Sequence, residues 1–191
     1  MIIGLTGNLG SGKTTIAEMF RKRGFIVVNL DDVGKEILKK GKEAYSRVVK
    51  AFGKNILDES GEINRKRLAD IVFSDGAKWA SLCAISHPIV REKMIEVIGK
   101  NKGKNLLFDA SMLIEAGVND LVGKVIVVKI DSSIRDERMM QKNMDLQEAK
   151  LRLQRQIPQE KREKYADFII DNSGTVKESE KQVEEILKKL K

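Results

Sequence analysis

Residues 7–14 read Gly-Asn-Leu-Gly-Ser-Gly-Lys-Thr, and this stretch decides the fold of the chain. It follows an apolar run, Met1 to Leu5, and precedes an amphipathic run, Thr15 to Arg23, which predicts the order strand, phosphate-binding loop, helix. Glycines let the backbone turn tightly and point successive N–H groups inwards, at the positive end of the following helix. We therefore expect the loop to hold a nucleoside triphosphate, with Lys13 on the outer phosphates and Thr14 on a magnesium ion.

The composition predicts one domain with an aliphatic α/β core. The chain has 191 residues, of which 41% are hydrophobic and 5% aromatic, and no apolar run is long enough to span a membrane. The first residues lead directly into the phosphate loop, so we expect no signal peptide and a cytoplasmic location. One cysteine and one histidine exclude an internal disulfide and a clustered zinc site.

The formal net charge of +8 is compatible with three kinds of surface. It suits a surface that binds nucleic acid, one that collects polyanionic small molecules, or a lysine-rich solvated surface such as heat-adapted proteins have. Composition alone does not separate them. The basic residues are not interleaved with aromatic residues for base stacking, however, which counts against nucleic acid.

Five short apolar runs predict strands, and the second, which is apolar throughout, is typical of a parallel strand covered on both faces. They are Met1–Leu5, Phe25–Leu30, Asn105–Phe108, Lys124–Ile130 and Phe168–Ile170. The later four are each followed by aspartate, and ligands of open α/β sheets bind at the carboxyl ends of strands. Asp31, Asp32 and Asp109 are therefore site candidates. After the last strand, Thr175 and Glu178 have the spacing of a capping box and predict a terminal helix on the sheet.

Helical spacing replaces strand signals from Val33 to Lys102, which predicts a helical insertion, and Asn64 is the expected N-cap of the helix that contains Arg65. A second helical stretch, from Ser132 to Tyr165, is highly charged. We expect most of its basic residues, Arg162 among them, to be solvated. Arg138 is different, because it follows a strand by about two helical turns, where a flap could cover the nucleotide and neutralise the transferred phosphoryl group.

These motifs, taken in order, resemble one family over nearly the whole chain: the dephospho-coenzyme A kinases of the nucleoside-monophosphate-kinase-like P-loop group. The phosphate loop alone names no substrate, whereas the ordered set of the other motifs is far more specific. The residues that carry the resemblance are Ile3-Gly4-Leu5-Thr6-Gly7, Asn29-Leu30-Asp31, Phe52-Gly53, Ile63-Asn64-Arg65, Val72-Phe73-Ser74-Asp75, His87-Pro88-Ile89, the stretch Asp109-Ala110-Ser111-Met112-Leu113-Ile114-Glu115, Arg138, Gln156-Ile157-Pro158, Ala166-Asp167 and Asn172-Ser173-Gly174.

The resemblance implies the α/β class and a three-layer P-loop NTPase fold: a five-stranded parallel sheet with helices on both faces, a helical substrate-binding insertion and a helical lid. In this chain it implies a single kinase domain over residues 1–191. Its nucleotide-binding core is 1–32 plus 103–191, the acceptor-binding insertion is 33–102, and the lid region is 132–165. The implied reaction moves the γ-phosphate of ATP to the ribose 3′-hydroxyl of dephospho-CoA, giving CoA and ADP.

That reaction suggests a role for each candidate residue. Asp31 accepts or orients the proton of the acceptor hydroxyl, Arg138 stabilises the transferred phosphoryl group, and Asp109 orders the hydration shell of magnesium. Arg65 and His87 hold the acceptor, and Asp31 and Asp109 are also expected to contact substrate. The residues expected to contact ATP are Asn8, Leu9, Gly10, Ser11, Gly12, Lys13, Thr14 and Thr15, together with Asn172 and Gly174 beside adenine.

Several of these residues also have a purely structural explanation. Asp31 and Asp32 could cap a helix, which for Asp32 is the better explanation, and Asp109 could form a turn at a strand end. His87 could be a packed histidine at a helix end, and residues 172–174 a tight turn before the last helix. We expect ATP and dephospho-CoA as substrates, no nucleic-acid or membrane partner, and a monomer or weak homo-oligomer.

The chain departs from the family pattern at four positions. Asn29 replaces the first acidic residue of Asp-x-Asp, Ser111 and Met112 stand where Pro-Leu is usual, and Lys142 stands where a second lid arginine is common. None of the four removes a group that the chemistry needs if Asp31 is the acting carboxylate. The alternatives are another small-molecule or nucleoside monophosphate kinase of the same group and, from a different class, a nucleotide-dependent nucleic-acid-binding module.

Overall fold

The computed structural model describes residues 1–141 and 145–190, and the described residues contain five strands and nine α-helices. The strands are β1 (Ile2–Thr6), β2 (Ile26–Asn29), β3 (Leu106–Asp109), β4 (Lys124–Lys129) and β5 (Phe168–Asp171). The helices are α1 (Lys13–Arg21), α2 (Leu30–Glu36), α3 (Tyr45–Phe52), α4 (Arg65–Ser74), α5 (Gly76–Lys100), α6 (Ser132–Gln141), α7 (Leu146–Gln154), α8 (Gln159–Glu163) and α9 (Val176–Lys189). None of the described helices combines the length and hydropathy needed to cross a bilayer.

The sheet is entirely parallel and has the strand order β2-β3-β1-β4-β5. Leu5 of the central strand pairs with Asp109 of β3 on one side and Ile126 of β4 on the other. Because all five strands run the same way, their carboxyl ends lie at one edge, and the phosphate loop leaves the middle of that edge. The five-stranded parallel α/β fold is thus confirmed.

The chain divides into two compact units. The first, Met1–Asn29 with Asn101–Lys191, contains the sheet, α1 and α6 to α9. Its core buries the apolar faces of α1 and α9 against the strands, and Ile3, Leu5, Phe20, Ile126 and Val183 have no exposed surface. The capping box of α9 is confirmed, because the Thr175 side chain accepts from the Glu178 N–H and Glu178 accepts from the Thr175 N–H.

The second unit, Leu30–Lys100, is helical and has its own small core. Its longest helix, α5, contacts α2, α3 and α4, and Met94 on α5 is fully buried. The predicted N-cap is confirmed, since Oδ1 of Asn64 accepts from the Arg67 N–H at 3.0 Å. An antiparallel bridge between Leu57 and Ile63 precedes that helix.

Two expectations about β2 are wrong. β2 is an edge strand whose four residues are half-buried, whereas its apolar sequence predicted burial on both faces. The strand also ends at Asn29, so Asp31 and Asp32 lie in the first turn of α2 rather than at a strand end. Carboxylates are favourable in a first helical turn because the helix dipole is positive there.

Candidate active site

The phosphate loop is built as the sequence predicts, between the end of β1 and the start of α1. Gly10 and Gly12 have φ of 81° and 85°, a conformation that favours glycine, and the Ser11 N–H donates to the Asn8 carbonyl at 3.1 Å. No side chain in the described first turn of α1 is acidic. The helix N-terminus therefore offers backbone N–H groups and a positive dipole to an anion.

The ammonium group of Lys13 lies over the phosphate loop. Nζ of Lys13 donates to the Gly7 carbonyl at 2.9 Å, so the ammonium group lies at the beginning of the loop. Thr14 and Thr15 are exposed at the start of α1 and border a cleft of 410 Å³ that also includes Met19 and Val176. The sequence predicts Lys13 on the outer phosphates, and its ammonium group lies beside the Gly7 carbonyl, next to Asn8 and Leu9 in the chain.

Asn172, which follows β5, is a fixed point beside the loop and is only 5% exposed. Its Nδ2 donates to the Ser11 carbonyl at 2.8 Å, and its Oδ1 accepts from the Ser179 hydroxyl at 2.8 Å. A Cβ atom at Gly12 would overlap this Nδ2. The Asn172 side chain therefore links the phosphate loop to α9 by hydrogen bonds. This role is separate from the predicted contact of Asn172 with adenine.

Arg138 reaches the same region from α6. Its Nη1 donates to the Asn172 carbonyl at 2.9 Å and its Nη2 to the Gly174 carbonyl at 3.3 Å. A Cβ atom at Gly12 would also lie within 4.0 Å of Nη1. The structure thus brings together the phosphate loop, Arg138, Asn172 and Gly174.

The strand-end carboxylates differ in burial and in their hydrogen bonds. Asp109 is 4% exposed, and its Oδ2 accepts from Nδ2 of Asn29 at 3.2 Å. Asp131 is exposed and accepts from the N–H and hydroxyl of Ser133, and the hydroxyl bond is the main cause of its lowered pKa. Asp131 therefore caps α6, whereas Asp109 is the buried carboxylate at the carboxyl end of β3.

Three predicted site residues belong to the second unit. Asp31 and Arg65 are exposed, in the first turns of α2 and α4. His87 is half-buried and lies in the interior of α5, immediately before Pro88, so the alternative of a helix-end histidine is wrong. Within this unit, Arg65, Lys35 and Lys39 line a cavity of 290 Å³ whose apolar wall includes Leu38 and Ile63.

One buried cation, Arg162, was not predicted from the sequence. Arg162 was expected to be solvated, yet its side chain is 0% exposed and pairs with Glu115 at 2.7 Å. Burial lowers the pKa of Arg162, and attraction to Glu115 opposes this, but an arginine stays charged at neutral pH. No local sequence pattern distinguished it, because a charged residue in a charged helical stretch is most often solvated. Lys142, named as a departure from the family pattern, lies outside the described residues.

Comparisons with known proteins identify the family of the chain. The family model described as Dephospho-CoA kinase matches residues 1–178. A Dephospho-CoA kinase of Aquifex aeolicus (strain VF5) is 44% identical over 190 residues, which make up 98% of this chain and 96% of that protein.

Two solved structures match over nearly their whole length. A crystal structure from Thermus thermophilus has a TM-score of 0.82 at 28% identity and covers 100% of this chain and 98% of that one. The dephospho-CoA kinase from Campylobacter jejuni has a TM-score of 0.70 at 28% identity, with 99% and 96% covered. The resemblance found in the sequence motifs is therefore present in the whole chain and in its fold.

Proposed function

The chain belongs to the dephospho-CoA kinase family, and from this premise we propose which of its residues perform the family's reaction. Members transfer the γ-phosphate of ATP to the 3′-hydroxyl of dephospho-CoA, giving CoA and ADP, the last step of CoA biosynthesis. We propose that the first unit binds ATP on the Gly7–Thr14 loop and that the second unit binds dephospho-CoA. The observation that carries the first assignment is the loop itself, a positive-φ backbone turn at a helix N-terminus with Lys13 folded over it.

Phosphoryl transfer needs alignment and charge stabilisation more than covalent chemistry. Lys13 is placed to neutralise charge on the outer phosphates, and the Gly10 and Gly12 turns direct N–H groups to them. Arg138 is held beside the loop through the carbonyls of Asn172 and Gly174, which supports its role as a second cation on the nucleotide. Its planar guanidinium suits the spread charge of a metaphosphate-like group.

We further propose that ATP enters with Mg²⁺. Among the described residues no cluster of three or more His, Cys, Asp or Glu forms a metal cage. That fits magnesium, which keeps several waters and takes one or two protein oxygens together with phosphates. The exposed Thr14 hydroxyl suits direct coordination, and the inner Asp109 carboxylate suits its hydration shell. When bound, the ion neutralises charge that develops on the phosphates.

Asp31 is proposed to act on the acceptor. A carboxylate is a weak base for an alcohol, so we assign it the orientation of the 3′-hydroxyl and uptake of its proton late in transfer. Its exposure in the first turn of α2 leaves it accessible to a substrate. Arg65 and His87 are assigned to acceptor binding. The cavity that Arg65 lines also contains Lys35, Lys39 and Glu62, and this excess of positive charge suits a phosphorylated substrate. A reaction that consumes ATP is also consistent with a cytoplasmic location.

The proposal is tested by offering the purified protein ATP and magnesium with dephospho-CoA, nucleoside monophosphates or nucleosides, and by measuring ADP release. We expect turnover with dephospho-CoA and a rise in melting temperature with that acceptor only, because a specific ligand stabilises the fold by mass action. Turnover confined to a nucleoside monophosphate would instead indicate the related kinase class. Duplex binding that weakens steeply with salt, without ADP release, would indicate a nucleic-acid-binding module.

Two variants test the residue roles. Lys13→Ala should lower kcat/KM at least about 100-fold, since it removes the cation of the outer phosphates. Asp31→Asn should lower kcat about 100-fold or more while KM for dephospho-CoA changes little, because orientation matters most in the transition state. Asp32→Asn is the matched control, because Asp32 lies in the same turn and is exposed. Normal turnover in Asp31→Asn would remove that residue from the mechanism.

A further inference from the structure

The guanidinium of the buried Arg162 donates four hydrogen bonds inside the first unit. Nε donates to Oδ1 of Asn8 at 3.0 Å, and Nη1 donates to Oγ1 of Thr6 at 2.7 Å and to the Ser111 carbonyl at 3.2 Å. Nη2 donates to Oε1 of Glu115 at 2.7 Å. The side chain thus joins the end of β1, the phosphate loop and the segment after β3.

The chain that leads from α7 into α8 makes a second connection to the same loop. Oε1 of Gln156 accepts from the Leu9 N–H at 3.0 Å, and its Nε2 donates to the Ser111 carbonyl at 3.4 Å. The Ile157 N–H donates to Oε1 of Glu115 at 3.0 Å, the oxygen that also binds Arg162. Two consecutive loop residues, Asn8 and Leu9, are therefore fixed by one segment about 150 residues later in the chain.

The network is costly for a purely structural element. An ion pair removed from water is often no better for stability than apolar side chains of similar volume. Glu115 is itself 9% exposed, and its second carboxylate oxygen has no hydrogen-bond partner within the described residues. The guanidinium does fix geometry, because its planar group of donors holds the side chains of Thr6, Asn8 and Glu115 at defined angles to one another.

We propose that Arg162 is a positioning residue that sets the Asn8–Leu9 part of the phosphate loop for the outermost phosphate of ATP. Lys13 bonds the Gly7 carbonyl, so this part of the loop adjoins the ammonium group assigned to the outer phosphates. Gln156 acts in the same way through the Leu9 N–H. The inference rests on the proposed function of Lys13.

The test separates a positioning role from a structural one through the number of phosphates in the ligand. In Arg162→Lys the positive charge beside Glu115 remains, but one ammonium cannot serve Thr6 and Asn8 at the same angles. We expect kcat to fall at least about tenfold, because misplacing a reacting group by about 1 Å costs up to roughly 100-fold. Calorimetry should show affinity for a non-hydrolysable ATP analogue falling about tenfold, with affinity for ADP within threefold of wild type.

Asn8→Ala and Gln156→Ala remove the loop contacts and leave the Arg162–Glu115 pair intact, so they decide the question if Arg162→Lys does not fold. Both should show the same selective loss of the triphosphate. Lys161→Arg and Gln154→Ala are matched controls at exposed neighbouring positions and should behave as wild type.

Two results would overturn the inference. One is a kcat within twofold of wild type in the folded variants, and the other is an equal loss of affinity for ADP and the ATP analogue. The Lys13→Ala variant shows whether only the role of Arg162 is wrong or the proposed function of Lys13 is wrong as well. If Lys13→Ala is inactive while Arg162→Lys and Asn8→Ala are normal, only the role of Arg162 is wrong. If Lys13→Ala keeps full turnover, both assignments are wrong.

Discussion

Asn29 is the position where a single substitution should most clearly reveal the electrostatics of the sheet edge. Its Nδ2 donates to Oδ2 of Asp109 at 3.2 Å, and the two residues are register partners on β2 and β3. Asn29→Asp restores the first carboxylate of the family's Asp-x-Asp pattern. It also replaces a hydrogen bond by two like charges at nearly the same distance.

The size of the effect follows from that distance. Two unit charges 3.2 Å apart repel by about 5 kcal/mol at an effective dielectric constant of about 20. The two carboxylates avoid this repulsion when they share one proton. Protonating a carboxylate of pKa near 4 costs about 1.4 kcal/mol for each unit of pH above 4, so sharing becomes more costly as the pH rises. We therefore expect a loss of about 1–2 kcal/mol at pH 5 and about 4–5 kcal/mol at pH 8.

The sign of the pH dependence follows from proton binding. In the variant the shared carboxyl has a raised pKa in the folded state, so the folded state binds more protons than the unfolded state and stability falls as pH rises. Urea unfolding of wild type and Asn29→Asp at pH 5 and pH 8 measures this directly. Asn55→Asp, which adds the same charge at an exposed position, is the control.

Magnesium supplies an independent check on the same pair. A divalent cation between two carboxylates removes their repulsion, so millimolar Mg²⁺ should recover much of the stability of Asn29→Asp at pH 8 and change that of Asn55→Asp little. An equal loss at both pH values, no larger than in the control, would refute the electrostatic argument.

Gly12→Ala should lower the free energy of unfolding by about 2–4 kcal/mol, because it combines positive-φ strain with displacement of the Asn172 side chain from the Ser11 carbonyl. Gly103→Ala has a similar φ of 79° and no neighbour within 4 Å, so in urea unfolding it should lose only about 1–2 kcal/mol. At Asp167, the hydrogen bond from Lys124 is the main cause of a lowered pKa, so its stabilisation is present above the usual pKa and is lost as pH falls through the folded value. Asp167→Asn should therefore cost about 0.5 kcal/mol or less at pH 7, because solvent screens the pair, and still less at pH 3, as unfolding at the two pH values would show.

The fold could be predicted from the sequence because its signals are local. A strand, a glycine-rich turn ending in Lys13-Thr14 and an amphipathic helix are each specified by neighbouring residues, and so is the capping box at Thr175. What the sequence did not show was which strands are edges. β2 is as apolar as an inner strand, yet it lies at the edge of the sheet, because strand order depends on contacts between distant segments.

The site was predictable only where its residues belong to a motif. The phosphate loop was found from its spacing, and Arg138 from its distance after a strand, and both lie beside Asn172 in the structure. Arg162 gave no such sign, since a charged residue in a charged helical stretch is most often solvated. Its partners Thr6 and Glu115 are 156 and 47 residues away, and no local pattern encodes a contact over that range.

Residues distant in the sequence restrict the conformational freedom that the glycines give the phosphate loop. Glycine permits the positive-φ turns that the phosphate loop requires, but it also leaves the loop with more conformational freedom than any other residue would. An anion site gains affinity and catalytic power when its N–H groups are already oriented, because no further ordering is then needed on binding. In this chain the order comes from outside the loop: Asn172 holds the Ser11 carbonyl at one side, while Arg162 and Gln156 hold Asn8 and Leu9 at the other. Rigidity at the phosphates is thus supplied by residues about 150 positions later in the sequence, and substitutions there should change triphosphate binding without altering the loop sequence.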